Sequence, residues 1–94
     1  MNNYETVAIL KKEVVDKADD IILKYKNLIN NIGGKVNETE NLGIKKLAYD
    51  IKGNSEGLYM LIKFEGESGI ITELERNYRI DEDVLKFITV RQEY

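Results

Sequence analysis

"LYMLIKFEG", residues 58–66, is apolar on both of its alternating sets: Leu58, Met60, Ile62 and Phe64 on one, Tyr59 and Leu61 on the other. Successive residues of a strand point to opposite faces of a sheet. A strand apolar on both sets is therefore central in its sheet, or covered on both sides. "YETVAILKK" (4–12) reads the same way, with Thr6, Ala8 and Leu10 on one set and Val7 and Ile9 on the other. Upstream of 58–66, "KVNETENLGIKKLAYDI" (35–51) reads as a long strand with a polar first half. Gly43 suggests a bulge or bend within it. "KGNSEG" (52–57) is turn chemistry, so 35–51 and 58–66 should form a hairpin. A last strand follows at "VLKFITVRQ" (84–92).

Helical periodicity separates these strands. Ala18, Ile21, Ile22, Tyr25, Leu28, Ile29 and Ile32 recur at the three-and-four spacing of one helical face, predicting a helix from Asp16 to Ile32. Asp16 is the expected N-cap, Asp19 and Asp20 suit the positive end of the macrodipole, and Gly33 and Gly34 end the helix. Ser68 is placed to cap a short second helix with Ile70, Ile71, Leu74 and Tyr78 as its buried face, and "NYRIDED" (77–83) reads as a polar connection. The order βαββαβ is the ferredoxin-like, split βαβ plan. It predicts an α+β domain over residues 1–94, with a four-stranded antiparallel sheet and two helices on one face. Right-handed crossovers put the first and third strands in the middle, which are the two that read as two-sided.

The composition supports one modest core. Of 94 residues, 43% are hydrophobic and 33% charged, the balance of a folded rather than a disordered chain. Cysteine, histidine and proline are absent, which excludes disulfides, thiol catalysis, Cys/His zinc sites and a histidine base. No apolar run approaches the ~20 residues that span a bilayer, and no signal-peptide pattern is visible, so the expectation is a cytosolic protein without a membrane partner. Net charge is −3, unevenly spread: residues 1–53 hold nine lysines against eight carboxylates, and the rest is acidic. A local basic edge on an acidic body is compatible with that distribution.

Two helices on one face leave the other uncovered. Alternation sets Thr6, Ala8, Leu10, Leu58, Met60, Ile62, Phe64, Leu85, Phe87 and Thr89 towards the helices. Val7, Ile9, Tyr59, Leu61, Ile88 and Val90 then fall on the open side, with Lys63 and Lys86 among them. Such a patch would reach several hundred Å², at or above what monomers usually expose; a protein partner seated on the sheet is the favoured reading, and cover by a loop, the C-terminal tail or a second copy of the chain is the other. Catalysis finds little support. Asp81, Glu82 and Asp83 read as a solvated run rather than a metal or acid/base site, and the glycines match no phosphate-cradling spacing. Tyr25 and Tyr78 fall on helical core faces; Tyr4 could stack on a base or cap the core. The adjacent Lys45 and Lys46 must point to opposite faces, which an edge strand allows with both amines in solvent. Lysines there blunt an edge against aggregation or contact phosphate.

These stretches resemble a known family. Tyr4-Glu5, "LGIKKLAY" (42–49), "GLYMLIKFE" (57–65) and "LERNYRIDEDVLKFITVR" (74–91) are similar, in order and spacing, to bacterial small-subunit ribosomal protein six. The resemblance implies a ferredoxin-like structural protein with no enzymatic activity and no cofactor, metal or small-molecule substrate. It implies binding to the central domain of small-subunit ribosomal RNA, paired with small-subunit ribosomal protein eighteen. Tyr4, Lys45, Lys46, Arg79, Lys86 and Arg91 occupy positions where the family places aromatic or basic RNA-facing residues. Val7, Ile9, Tyr59, Leu61, Lys63, Ile88 and Val90 would then meet the partner protein. The chain departs from the family pattern at Asn2 and Asn3, where basic residues are common, and at Asp50, where proline is. Lysines stand at 45 and 46 in place of frequent arginines, losing bidentate phosphate geometry. Tyr94 stands where some relatives continue into a long tail. The rival reading is a small regulatory domain of this fold that homodimerises through its open face and binds a metabolite; an acylphosphatase-like enzyme is more distant still.

Overall fold

β1 (Asn2–Lys11) and β3 (Asn54–Gly66) pair antiparallel from Asn2↔Gly66 to Lys11↔Gly57. They occupy the centre of a four-stranded sheet of order β2-β3-β1-β4, in which β2 is Lys35–Ile51 and β4 is Val84–Gln92. The computed structural model describes residues 1–92; Tyr94 lies outside them. Helix α1 (Ala18–Asn31) follows β1 and helix α2 (Gly69–Ile80) follows β3. This is the ferredoxin-like α+β architecture that the two-sided strands predicted. Among the described residues, no helix is long and apolar enough to cross a membrane.

The core lies between the helices and one face of the sheet. Ala8, Leu10, Leu58, Met60, Ile62 and Phe64 are buried against Ala18, Tyr25 and Ile29 of α1 and Ile70, Leu74 and Tyr78 of α2. The Tyr25 and Tyr78 rings meet with centroids 4.8 Å apart, and Tyr78 stacks on Phe87 at 5.1 Å. Thr6 is the buried polar residue of this layer. Its hydroxyl accepts from Thr89 Oγ1 at 3.0 Å and shares a 3.2 Å hydrogen bond with the Tyr78 hydroxyl, so no polar atom there is stranded.

Four local expectations are corrected. Asp16 is not a helix cap: Lys12–Lys17 wind as a 3₁₀ turn, and α1 begins at Ala18 without a side-chain cap. Val14 in that turn packs on the core, which holds the segment in its tighter winding. Residues 77–80 are not a connection, because Tyr78 continues the Ile70–Leu74 stripe and α2 runs to Ile80. The hairpin turn is only two residues long: Lys52 (φ 50°) and Gly53 (φ 81°) are flanked by the pair Ile51↔Asn54. Positive φ at both central residues is what a type I′ turn requires. Finally, Val84 rather than Leu85 joins the helix-side core. Lys86 lies opposite Ile9 and Val84 opposite Leu10, so Leu85 is the extra residue of a bulge. The bend at Gly43 is present, with φ 79° and a register shift beside it.

Asp81 clasps α1 to the turn before β4. Its Oδ2 accepts from the Tyr25 hydroxyl at 2.6 Å and from Lys24 Nζ at 3.2 Å, while Oδ1 accepts from the Asp83 N–H at 3.0 Å. Burial opposes ionisation of this carboxyl, yet the hydrogen bonds from Tyr25, Asp83 and Lys24 outweigh it and hold it below the usual carboxylate range. A depressed folded value means the clasp stabilises above the unfolded value of about 3.9 and is lost as pH falls through the folded one. Asp81→Asn should therefore cost about 1–2 kcal/mol at pH 7, and the difference from the parent should shrink below about pH 4. Urea unfolding at the two pH values measures both.

Candidate functional site

The helix-free face of the sheet is built from the odd-numbered residues of β1 and β3. Strand register sets three rows across it: Leu61–Val7–Ile88, Tyr59–Ile9–Lys86 and Lys63–Glu5–Val90. Ile88 is 55% and Val90 47% exposed. Val7, Ile9 and Tyr59 are half-buried. Leu61 is buried at the middle of the sheet, so it adds little to the exposed apolar surface expected of it. A depression of about 240 Å³ lies among Val7, Ile9, Tyr59, Lys86, Phe87 and Ile88. Charge gathers at the far row, where Lys63 reaches Glu38 at 3.6 Å and Glu5 accepts from the Gln92 side-chain amide at 2.6 Å.

The face is not wholly uncovered, which corrects the expectation from alternation alone. The β2–β3 ladder shifts between Lys46 and Ile51, leaving residues 47–50 without partners in β3. This arm turns inward over the sheet. Leu47 is buried beside Gly57, where an added Cβ would strike Ile9 Cγ2 at 2.5 Å and meet Leu47 Cδ2 at 3.6 Å. Two positions on, Lys86 Nζ donates to the Tyr49 hydroxyl at 3.0 Å and lies 5.5 Å from its ring centroid. Since β2 and β4 are opposite edges of the sheet, this contact spans its width. Hydrogen bonding to Tyr49 raises the Lys86 pKa, so its ammonium stays charged.

The residues expected to face RNA are dispersed. Lys45 belongs to the helix-free face, with Nζ 5.6 Å over the Tyr59 ring, and Lys86 shares that face. Lys46 lies opposite Glu56 on the other side of β2, and both lysines of the pair are exposed. Arg91 falls on the helix side of β4, opposite Tyr4. Arg79, in the last turn of α2, pairs with Glu75 at 3.6 Å and lies 5.7 Å from the Phe87 ring. Tyr4 is corrected outright: it is 6% exposed and its ring packs on Phe64 at 5.5 Å, so it belongs to the core and has no free face for a base. Tyr49 was missed. Its sequence signal was only an apolar strand end, and its position depends on the turning of the arm. Among the described residues, no group of three or more Asp, Glu, His or Cys is placed to hold a metal ion.

Comparison with known proteins completes the picture. The family model described as Ribosomal protein S6 matches residues 3–91. The chain is 43% identical over 91 residues to small ribosomal subunit protein bS6 of Bartonella bacilliformis, covering 96% of this chain and 67% of that one. It is 42% identical over 94 residues to the bS6 of a Nitratiruptor species, covering 99% and 73%. The crystal structure of 30S ribosomal protein S6 from Thermotoga maritima superposes with a TM-score of 0.90 at 29% identity, covering 97% of this chain and 87% of that one. These relatives are structural proteins of the bacterial ribosome, cytoplasmic and not enzymes. Similarity over nearly the whole chain, in sequence and in fold, shows that the chain belongs to the ribosomal protein S6 family of the small subunit.

Proposed function

We propose that this chain, as one domain over residues 1–94, binds the central domain of small-subunit ribosomal RNA as a pair with small-subunit ribosomal protein eighteen. The observation that carries the reading is the exposed apolar strip of β4, Ile88 and Val90, continuous with Val7 and Ile9 on a sheet face that no helix shelters. Leaving such a strip in water is unfavourable, and covering it is worth roughly 25 cal/mol per Å². Tyr59 and Lys63 border the strip and belong to the same partner surface. Phosphate contacts fall to Lys45, Lys46, Arg79, Lys86 and Arg91. They are few on a chain of net charge −3, so the partner protein supplies most of the positive charge of the joint surface.

The test is Lys45→Glu combined with Lys46→Glu. Both side chains are exposed, so the fold should survive unchanged by circular dichroism. Affinity of the paired complex for central-domain RNA should fall roughly tenfold or more, and the salt dependence should become shallower by about one to two ions. Unaltered affinity, or a purified chain that light scattering shows as a stable homodimer indifferent to protein eighteen, overturns the reading.

A further inference from the structure

We propose that the Tyr49 end of the helix-free face is a stacking site for one unpaired RNA nucleotide, with Lys45 and Lys86 holding the flanking phosphates. The proposal deepens the reading above and rests on it for the presence of RNA. Tyr59 and Lys86 both lie across Ile9 in register, two strand spacings or about 10 Å apart. Lys45 sits over the Tyr59 ring and Lys86 beside the Tyr49 ring, so ammonium and ring alternate in the order Lys45, Tyr59, Lys86, Tyr49.

Three observations point to a nucleotide. First, the tyrosines divide: Tyr4, Tyr25 and Tyr78 are buried in the core, whereas Tyr49 is 62% exposed and Tyr59 partly exposed, and these two are the ones paired with lysines of this face. A base laid on an exposed ring removes both π-faces from water at little entropic cost when the ring is already held. Here it is held, by burial of Leu47 beneath the arm and by the hydrogen bond from Lys86. Second, among the described residues neither Lys45 nor Lys86 forms a salt bridge, although the chain as a whole is acidic. Two unneutralised ammoniums beside two rings match the charge and the flat apolar surface of a single nucleotide step. A duplex keeps its base faces stacked inward and offers nothing to the rings. Third, the site lies apart from Val90 and the outer part of β4. Nucleotide and partner protein can therefore share one sheet face, meeting at the Tyr59–Ile9 row, with Tyr49 left to the nucleotide.

The test uses the chain with ring-labelled tyrosine, alone and paired with protein eighteen, titrated with hexauridylate and with an RNA duplex of the same length. Tyr49 and Tyr59 ring signals should move upfield with the single strand and not with the duplex. Tyr49→Ala should weaken hexauridylate binding about 5- to 100-fold, the effect of losing one stacked base. Tyr49→Phe should stay within about threefold of the parent, because it keeps the ring and loses only the hydrogen bond that helps to hold it. Lys86→Gln should reduce the salt slope by about one. Unchanged binding by Tyr49→Ala, ring shifts that appear equally with the duplex, or a Tyr49 ring shift produced by protein eighteen without RNA overturns the stacking site, whereas a Tyr59 shift with protein eighteen alone is what the shared partner surface predicts. If the Tyr49→Ala complex still binds central-domain RNA at full strength, only this proposal falls. If the parent complex binds no RNA at all, the functional reading itself falls with it.

Discussion

Replacing Ile88 and Val90 together by glutamate is expected to abolish pairing with small-subunit ribosomal protein eighteen, raising the dissociation constant at least about 100-fold. Each parent side chain is already about half buried in the isolated chain, so covering the rest contributes about 0.7–1.5 kcal/mol. A carboxylate in its place must be desolvated without a partner, at a further cost of several kcal/mol. Even the lower sum exceeds the 2.8 kcal/mol or so that corresponds to a hundredfold change. In the isolated chain both positions are about half exposed, so the substitutions should leave the melting temperature within a few degrees of the parent. Isothermal titration of the purified pair measures the first effect and calorimetry the second. Pairing that survives both substitutions would place the partner elsewhere on the molecule.

On stability, the largest expected loss follows Tyr78→Ala. The ring is 1% exposed and lies between Tyr25 and Phe87, joining both helices to the sheet. Truncating a large aromatic in such a place costs about 3–5 kcal/mol from lost burial and the remaining cavity. A domain of this length holds about 5–14 kcal/mol in all, so the melting temperature should drop by roughly 15–30 °C. Tyr78→Phe isolates the hydroxyl. Thr6 keeps the hydrogen bond from Thr89, so this variant should lose only about 1 kcal/mol. Equal losses in the two variants would show that the hydroxyl chain, not the ring, carries the effect.

Legibility in the sequence followed the range of the interactions. Periodicity placed α1 on the core through Ala18, Tyr25 and Ile29, and α2 through Ile70, Leu74 and Tyr78, because a helical face is set by spacing within one segment. The bounds of β2 and β4 were read as the structure has them, since turn residues and polarity mark them locally. Misreadings came where a residue answered to something distant in the chain. Leu85 was assigned by strict alternation, but a bulge opposite β1 handed its core position to Val84. Asp16 had the chemistry of a helix cap and lost the place to a 3₁₀ turn held down by Val14. Tyr4 carried an open choice between core and base that only its packing on Phe64 resolved.

By itself, the sequence determined the element order, the two central strands, the helix-covered face and the presence of an apolar strip on the other. All of these depend on which side of its own segment each residue occupies, a property written in the spacing of side chains. Tertiary structure alone decided how much of that second face remains free. The arm of β2 leaves its ladder after Lys46, buries Leu47 over Gly57 and brings Tyr49 to Lys86 on the opposite edge. No local pattern encodes that contact. It joins residues 37 positions apart through the curvature of a hairpin, and curvature is set by the packing beneath it.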